Sequence, residues 1–312
     1  MTKNWVLHFF NNLPAFLFIV LVIFLQGCKN AAQPDIRDTT TSGTILISVD
    51  ETFKPVIDSQ IKVFESQFPQ AKIIVQYKPE AECLRDLNRD SVRMVIVTRG
   101  LSEKEEKILT DTLSYKPSFG TIAFDAIAVI TNNRSVDTAF TMEDIRSMVK
   151  GTSGYKYKVL LDGLSATSTV RYVVDSLLRG APLSKNIVAA KNSEAVVDNV
   201  SNNPDVIGLV GVSWTGNKDD PQQSSFMQKV KIAAIECNGC QGTYVKPYQA
   251  NIAMARYPMI RPLYYILKEN YEGLGSGFKN FLIYEKGQLI FKRAYLLPAR
   301  MRFEVRDIQI SE

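Results

Sequence analysis

From Gly43 onward, short runs of β-branched and apolar residues alternate with amphipathic stretches of helical period, and this alternation limits the folds open to the chain more than any other feature. Thr44–Val49, Lys72–Tyr77 and Arg93–Thr98 read as strands. Between the first two, Ile57, Ile61, Phe64 and Phe68 fall at helical spacing, and Pro69 closes the segment. Cys83–Asn88 suggests a short helix, and Ser102-Glu103-Lys104-Glu105 is a capping box that opens another. Strands alternating with helices imply an α/β fold with a largely parallel sheet.

Thr121–Thr131 is too long for an ordinary strand and carries Asp125 in its middle, as expected of a strand that crosses between two lobes. A second series follows. A helix starts at Thr141-Met142-Glu143-Asp144, a strand spans Lys158–Leu161 and another Val188–Lys191, Ser193 caps a helix running through Val200, and Ile207–Val212 is a buried strand. Beyond Cys240, Tyr244–Ala255 reads as extended and Pro262–Glu269 as a helix. The run Gly273-Leu274-Gly275-Ser276-Gly277 lacks the order of a dinucleotide fingerprint and reads as a turn before a helix over Phe278–Glu285.

Residues 162–178 carry the clearest chemical signal. Asp162-Gly163 leads into a hydroxyl-rich turn with Ser165, Thr167, Ser168 and Thr169. Val170, Val173, Val174, Leu177 and Leu178 then form one apolar helical stripe. A helix start offers unpaired N–H groups and partial positive charge, which favour anions. A single hydroxyl suffices for an N-cap, so four within five positions point to a ligand as well.

The 312 residues carry a mild net charge of +5, and their basic residues are interspersed with acidic ones, so no nucleic-acid surface is expected. Lys3 is the only charged side chain before Cys28, Phe16–Leu25 is an unbroken apolar run, and Leu25-Gln26-Gly27-Cys28 follows. The run is short for a membrane span, which needs about 20 residues. It resembles a bacterial lipoprotein signal: residues 1–27 would be removed, Cys28 lipidated, and the polar stretch 28–42 would form a flexible tether. His8 is the only histidine and lies in the removed segment, so the mature chain would lack histidine-based catalysis and histidine metal ligation. No enzyme, cofactor or metal is expected. Cys237-Asn238-Gly239-Cys240 reads as a turn closed by a local disulfide in an oxidising compartment, and Cys83 as a free thiol.

Several segments together resemble the phosphate-binding branch of the type II periplasmic solute-binding proteins, the lipoproteins that serve ABC importers. They are Phe124–Ile130, Asp162-Gly163 with Ser165–Thr169, Ile207–Val212, Tyr257-Pro258 through Arg261-Pro262-Leu263-Tyr264, Gly277-Phe278, Gly287-Gln288 and Leu297-Pro298. The resemblance covers about residues 43–300. It implies a two-lobed α/β fold with two crossover hinge strands: residues 43–126 and 244–312 in one lobe, 127–243 in the other. It also implies an oxyanion, inorganic phosphate first, held in the interlobe cleft. The protein would face the periplasm, anchored through lipid on Cys28, and pass its ligand to a membrane permease. The rival reading is a scaffold or interaction lipoprotein that kept the fold and lost the ligand.

Ligands of open α/β sheets sit beyond the carboxyl ends of strands, which nominates Thr52, Arg99, Ser165, Thr167, Ser168 and Thr169. Three departures from the family pattern bear on the solute. Glu80 and Glu82 occupy a loop that usually supplies neutral donors, Leu161 stands where an arginine is usual, and the usual aspartate after the third strand is replaced near Arg99. Arg99 would then supply the missing positive charge, its alternative being a surface ion pair with Glu103 or Glu105. Arg171 is expected to face solvent, and Trp214 lines either the cleft or the core.

Overall fold

The computed structural model describes residues 38–215, 225 and 228–301. The expected signal segment, lipidated Cys28 and tether residues 29–37 lie outside the described residues. The last five residues of the expected tether are docked rather than free. Arg93 binds Asp38 through both terminal nitrogens at 3.0 and 2.7 Å, and Asp38 also accepts from the Tyr271 hydroxyl at 2.9 Å and Leu274 N at 2.6 Å.

Strand β1 (Gly43–Asp50) passes through a 3-10 turn, Glu51–Phe53, into α1 (Lys54–Gln67). Then follow β2 (Ala71–Lys78), α2 (Glu80–Arg85), β3 (Val92–Val97) and α3 (Glu103–Leu113). The long β4 (Ser118–Asn132) leads to β5 (Ala139–Phe140), α4 (Met142–Lys150), β6 (Lys158–Leu161) and α5 (Ser168–Tyr172), which widens into a π-helical stretch, Val173–Leu177. Next come β7 (Ile187–Ala189), α6 (Ser193–Asn202) and β8 (Val206–Gly211), then β9 (Val230–Ile232), β10 (Ala234–Cys237) and β11 (Cys240–Val245). The chain closes with α7 (Gln249–Ala253), β12 (Ile260–Leu267), α8 (Leu274–Ile283), α9 (Glu285–Arg293) and β13 (Leu297–Pro298). Capping boxes at Ser102 and Thr141 start α3 and α4, each satisfying two otherwise unpaired groups.

The main sheet runs β2-β1-β3-β12-β4-β8-β6-β7. Its two ends are parallel trios, but β3, β12, β4 and β8 pair antiparallel, so the sheet is mixed rather than largely parallel. Strand β4 spans both halves: it pairs β12 up to Ala126 and β8 from Ile127. The return comes later than residue 244. Tyr244 still pairs Glu236, and Ile252, Tyr257 and Met259 pack in the second half's core with Ile127 and Val129. The chain re-enters the first half at Ile260, just after the Met259 carbonyl accepts from Ile127 N at 2.9 Å.

Three segments fold differently from the sequence expectation. Pro262–Glu269 was expected to be helical, but β12 occupies it. Its aromatic and β-branched content suits a strand, and it fills a slot where β3 and β4 supply ladders on both edges. Tyr244–Ala255 divides into the end of β11 and the short α7. The glycine run is the first turn of α8 rather than a loop before it. A methyl group at 277 would overlap the Thr40 carbonyl and one at 275 the Glu269 carboxylate, so the missing side chains let neighbouring segments close on the helix. Asn238-Gly239 turns β10 into β11, with Gly239 at φ +79°, and Cys237 and Cys240 are joined by a disulfide at a Cα separation of 5.2 Å. Cys83 is free and buried.

Candidate functional site

The carboxyl ends of β1, β3, β6 and β8 converge where β4 passes from one half of the sheet to the other. Asp125 of β4 and Arg261 of β12 are register partners there, both almost fully buried. Arg261 Nε donates to Asp125 Oδ2 at 2.8 Å, and Nη1 donates to the Ser168 hydroxyl at 2.9 Å. The guanidinium lies over the Phe53 ring, 5.2 Å from its centroid. Arg261 Nη2 is buried and has no hydrogen-bond partner among the described residues. Burial disfavours its charged form, but Asp125, Asp50 and Asp162 outweigh that and raise its pKa.

Asp50 ends β1. Its Oδ1 accepts from Thr52 N at 3.1 Å, while its buried Oδ2 has no partner in hydrogen-bond geometry among the described residues. The Ser168 hydroxyl is near enough to favour the Asp50 charge, yet burial and the Glu80 charge prevail and push the pKa up to about 7. Beside it, Glu51 accepts from the Ser193 backbone N–H at 3.1 Å and from its hydroxyl at 3.0 Å, which ties β1 to the start of α6. Burial, then the charges of Asp162 and Asp50, push Glu51 up to about 8.

The hydroxyl-rich turn surrounds Asp162. Thr167 caps α5 through Val170 N and also donates to Asp162 Oδ1 at 2.8 Å. Asp162 Oδ2 receives Thr52 and Thr169 at 3.2 Å each, and the Ser193 Oγ that donates to Glu51 lies 3.4 Å away. Gly211 permits this closeness, because a Cβ there would lie 2.8 Å from Thr52 Cγ2 and 3.1 Å from both Arg261 Nη2 and Asp125 Oδ2. Gly211→Ala is therefore expected to cost about 1–3 kcal/mol in a denaturant melt, as overpacking of a buried site does; an unchanged midpoint would mean that the site yields freely.

Of the residues nominated from sequence, Thr52, Thr167, Ser168 and Thr169 meet in this cluster, all buried. Ser165 is exposed on the loop. Arg99 is engaged by Glu105 through two bonds of 2.8 Å, the surface ion pair that was its alternative. The cation among the hydroxyls is Arg261, which sequence reasoning missed. One signal was available: Asp125 inside a long apolar strand needs a buried cation, and Arg261 opens another apolar segment. Glu80 turns inward but is neutralised. Arg171 Nε donates to it at 2.6 Å, and Thr98 donates through N at 2.8 Å and its hydroxyl at 2.6 Å. Burial raises the Glu80 pKa, but those bonds hold it below the ordinary glutamate value. Arg171, expected in solvent, thus spans the two halves. Trp214 is buried, and its indole donates to the Thr52 carbonyl at 2.7 Å. Among the described residues no acidic, cysteine or histidine cluster has metal-binding geometry, and no helix is long and apolar enough to cross a membrane.

A mixed sheet whose strand ends converge from two halves on a buried polar cluster defines a periplasmic-binding-protein-like fold of type II. The family model of the PBP superfamily domain matches residues 37–286, and the chain belongs to that superfamily. No curated protein sequence matches it. Among solved structures, it is similar to a candidate phosphate ABC transporter substrate-binding protein of Clostridium perfringens with bound phosphate, at a TM-score of 0.67 and 18% identity over 83% of this chain and 100% of that one. An ABC-type phosphate transport receptor from Vibrio cholerae gives 0.58 and 18% over 82% and 100%. PstS from Borrelia burgdorferi gives 0.51 and 16% over 82% and 99%. At these identities the likeness is one of fold.

Proposed function

We propose that this chain is an extracytoplasmic solute-binding protein that captures an oxyanion, inorganic phosphate first, between its two halves and delivers it to the permease of a membrane importer. The observation that carries the reading is the pair of orphaned buried atoms in one cluster: Arg261 Nη2, a donor, and Asp50 Oδ2, an acceptor. Hydrogen phosphate offers oxygens to the first and a hydroxyl to the second, whereas sulfate and molybdate at neutral pH offer only acceptors. A guanidinium with hydroxyls around it suits tetrahedral oxyanions. Phosphate named in the structurally similar proteins agrees with this reading. Lipid on Cys28 would hold the protein at a membrane facing the periplasm, and the domain would act by binding rather than by catalysis.

The scaffold reading has one observation in its favour: the cluster's carboxylates outnumber its two arginines. Titration calorimetry with phosphate, sulfate, molybdate and a carboxylate separates the two readings. Phosphate is expected to give heat and the other anions much less, and phosphate at 100 times its Kd should stabilise the fold by about 2.7 kcal/mol. Absence of heat and of thermal shift with every anion would leave the scaffold.

A further inference from the structure

Asp162 receives the bonds that the site's hydroxyls would give to a bound anion. Thr52 comes from the turn after β1, and Thr167 and Thr169 from the start of α5, yet all three donate to this one carboxylate, over 2.8–3.2 Å. Asp162 is buried, and among the described residues no lysine or arginine forms a salt bridge with it. Leu161, just before it, is fully buried in the core and offers nothing polar. Asp162 depends on these three hydroxyls, and they are committed to Asp162.

We propose that Asp162 is an internal counter-ligand: its carboxylate holds the hydroxyls of the cradle, and an incoming oxyanion binds by displacing it from them. The inference rests on the anion reading of the same site. A hydroxyl has one proton to donate, so Thr52, Thr167 and Thr169 cannot bind Asp162 and an external anion at once. Displacement leaves a buried carboxylate beside the new anion, two like charges where burial keeps screening weak. Asp162 therefore lowers affinity for every oxyanion and sets the concentration at which the site fills. It also explains how halves carrying so many carboxylates close on each other: Thr52 of the first half and Thr167 and Thr169 of the second meet on one negative group.

Asp162→Asn keeps the shape and the Oδ1 acceptor for Thr167 but removes the charge. By calorimetry at pH 7, Asp162→Asn and Asp162→Ala are each expected to bind phosphate at least about tenfold more tightly than the parent chain, a change of about 1.4 kcal/mol. A residue that merely shapes the site would weaken binding when replaced. A parent chain that binds only weakly, or is silent, beside variants that bind supports the inference. Weaker or unchanged binding by variants that melt cooperatively overturns it and leaves the phosphate reading standing. Silence from all three chains removes the phosphate reading, and the inference with it. Should the variants not fold, a crystal structure of the parent chain soaked in phosphate decides: the hydroxyls of Thr52, Thr167 and Thr169 should have turned to the phosphate, and finding them still on Asp162 with phosphate in the cluster would overturn displacement.

Discussion

Replacing Arg261 with methionine is expected to weaken phosphate binding at least about a hundredfold and to lower stability by about 3–5 kcal/mol. Both effects come from one buried guanidinium. Nε holds Asp125, Nη1 holds Ser168, and Nη2 is the orphaned donor assigned to the ligand. Removing it strands a carboxylate that is fully buried and whose pKa burial already raises even with Arg261 present; breaking a buried pair from one side carries a penalty of about this size. The binding loss follows from deleting the almost fully buried guanidinium of the cluster, a change that costs about 2–5 kcal/mol where the partner stays desolvated. Methionine fills similar volume, so packing alone does not account for the loss. The double variant Arg261→Met with Asp125→Asn separates the effects. Asparagine keeps the oxygen that accepts from Val212 N and carries no charge, so most of the stability should return without binding. Arg261→Lys should recover little, since one ammonium cannot reach Asp125, Ser168 and the ligand in the fixed fork of a guanidinium. Calorimetry and denaturant melts on the four chains check this, and phosphate affinity intact in Arg261→Met would place the anion elsewhere.

The parts of this fold legible in the sequence are those where local pattern and tertiary placement agree. The capping boxes at Ser102 and Thr141 mark helix starts that the structure keeps, because their bonds close within one turn. Strand β4 is readable from its long apolar run, Ile122–Ile130, which only Asp125 interrupts. Arg261 was hidden because Pro262–Glu269 carries apolar residues at positions that fit either period, and only its two neighbouring strands decide in favour of β12. The site divides in the same way. Thr167, Ser168 and Thr169 are consecutive, so their convergence is written in a single turn. The pairings of Arg171 with Glu80 and of Glu51 with Ser193 join residues 91 and 142 positions apart, and no local spacing predicts them. Arg99 shows the converse case: a cation at a favoured strand end is claimed by Glu105, six residues away on the next helix, before any ligand can use it.

Without ligand, the protein is expected to lose about 3–6 kcal/mol of stability as pH rises from about 5 to about 8.5, a direction opposite to that of a protein held by salt-bridged carboxylates. Asp50 moves from an ordinary 3.8 up to about 7, and Glu51 from 4.5 up to about 8. Burial is the first cause in both. Asp50 faces the Glu80 and Asp162 charges, with Arg261 and the Ser168 hydroxyl opposing them, while Glu51 faces Asp162 and Asp50, with Ser193 opposing. Between the ordinary values and the raised ones, the folded state holds protons that the unfolded chain has released. Raising the pH through that window therefore favours unfolding, and the stability present below about pH 4 is gone once Asp50 and Glu51 ionise in the fold. Each full shift corresponds to roughly 4–5 kcal/mol, but the two acids raise each other, so their sum falls short of additive. Glu80 and Glu105, both lowered by arginine partners, act in the other direction only below about pH 4.5, whereas Asp125, raised by burial, acts in the same direction as Asp50 and Glu51. Urea melts of the parent chain, Asp50→Asn and Glu51→Gln across this range provide the check. Each variant should flatten the slope, because an amide cannot ionise. A parent chain whose stability holds or rises from pH 5 to pH 8.5 would mean that these carboxyls are hydrated in solution, and the cradle would then be open to water before any anion arrives.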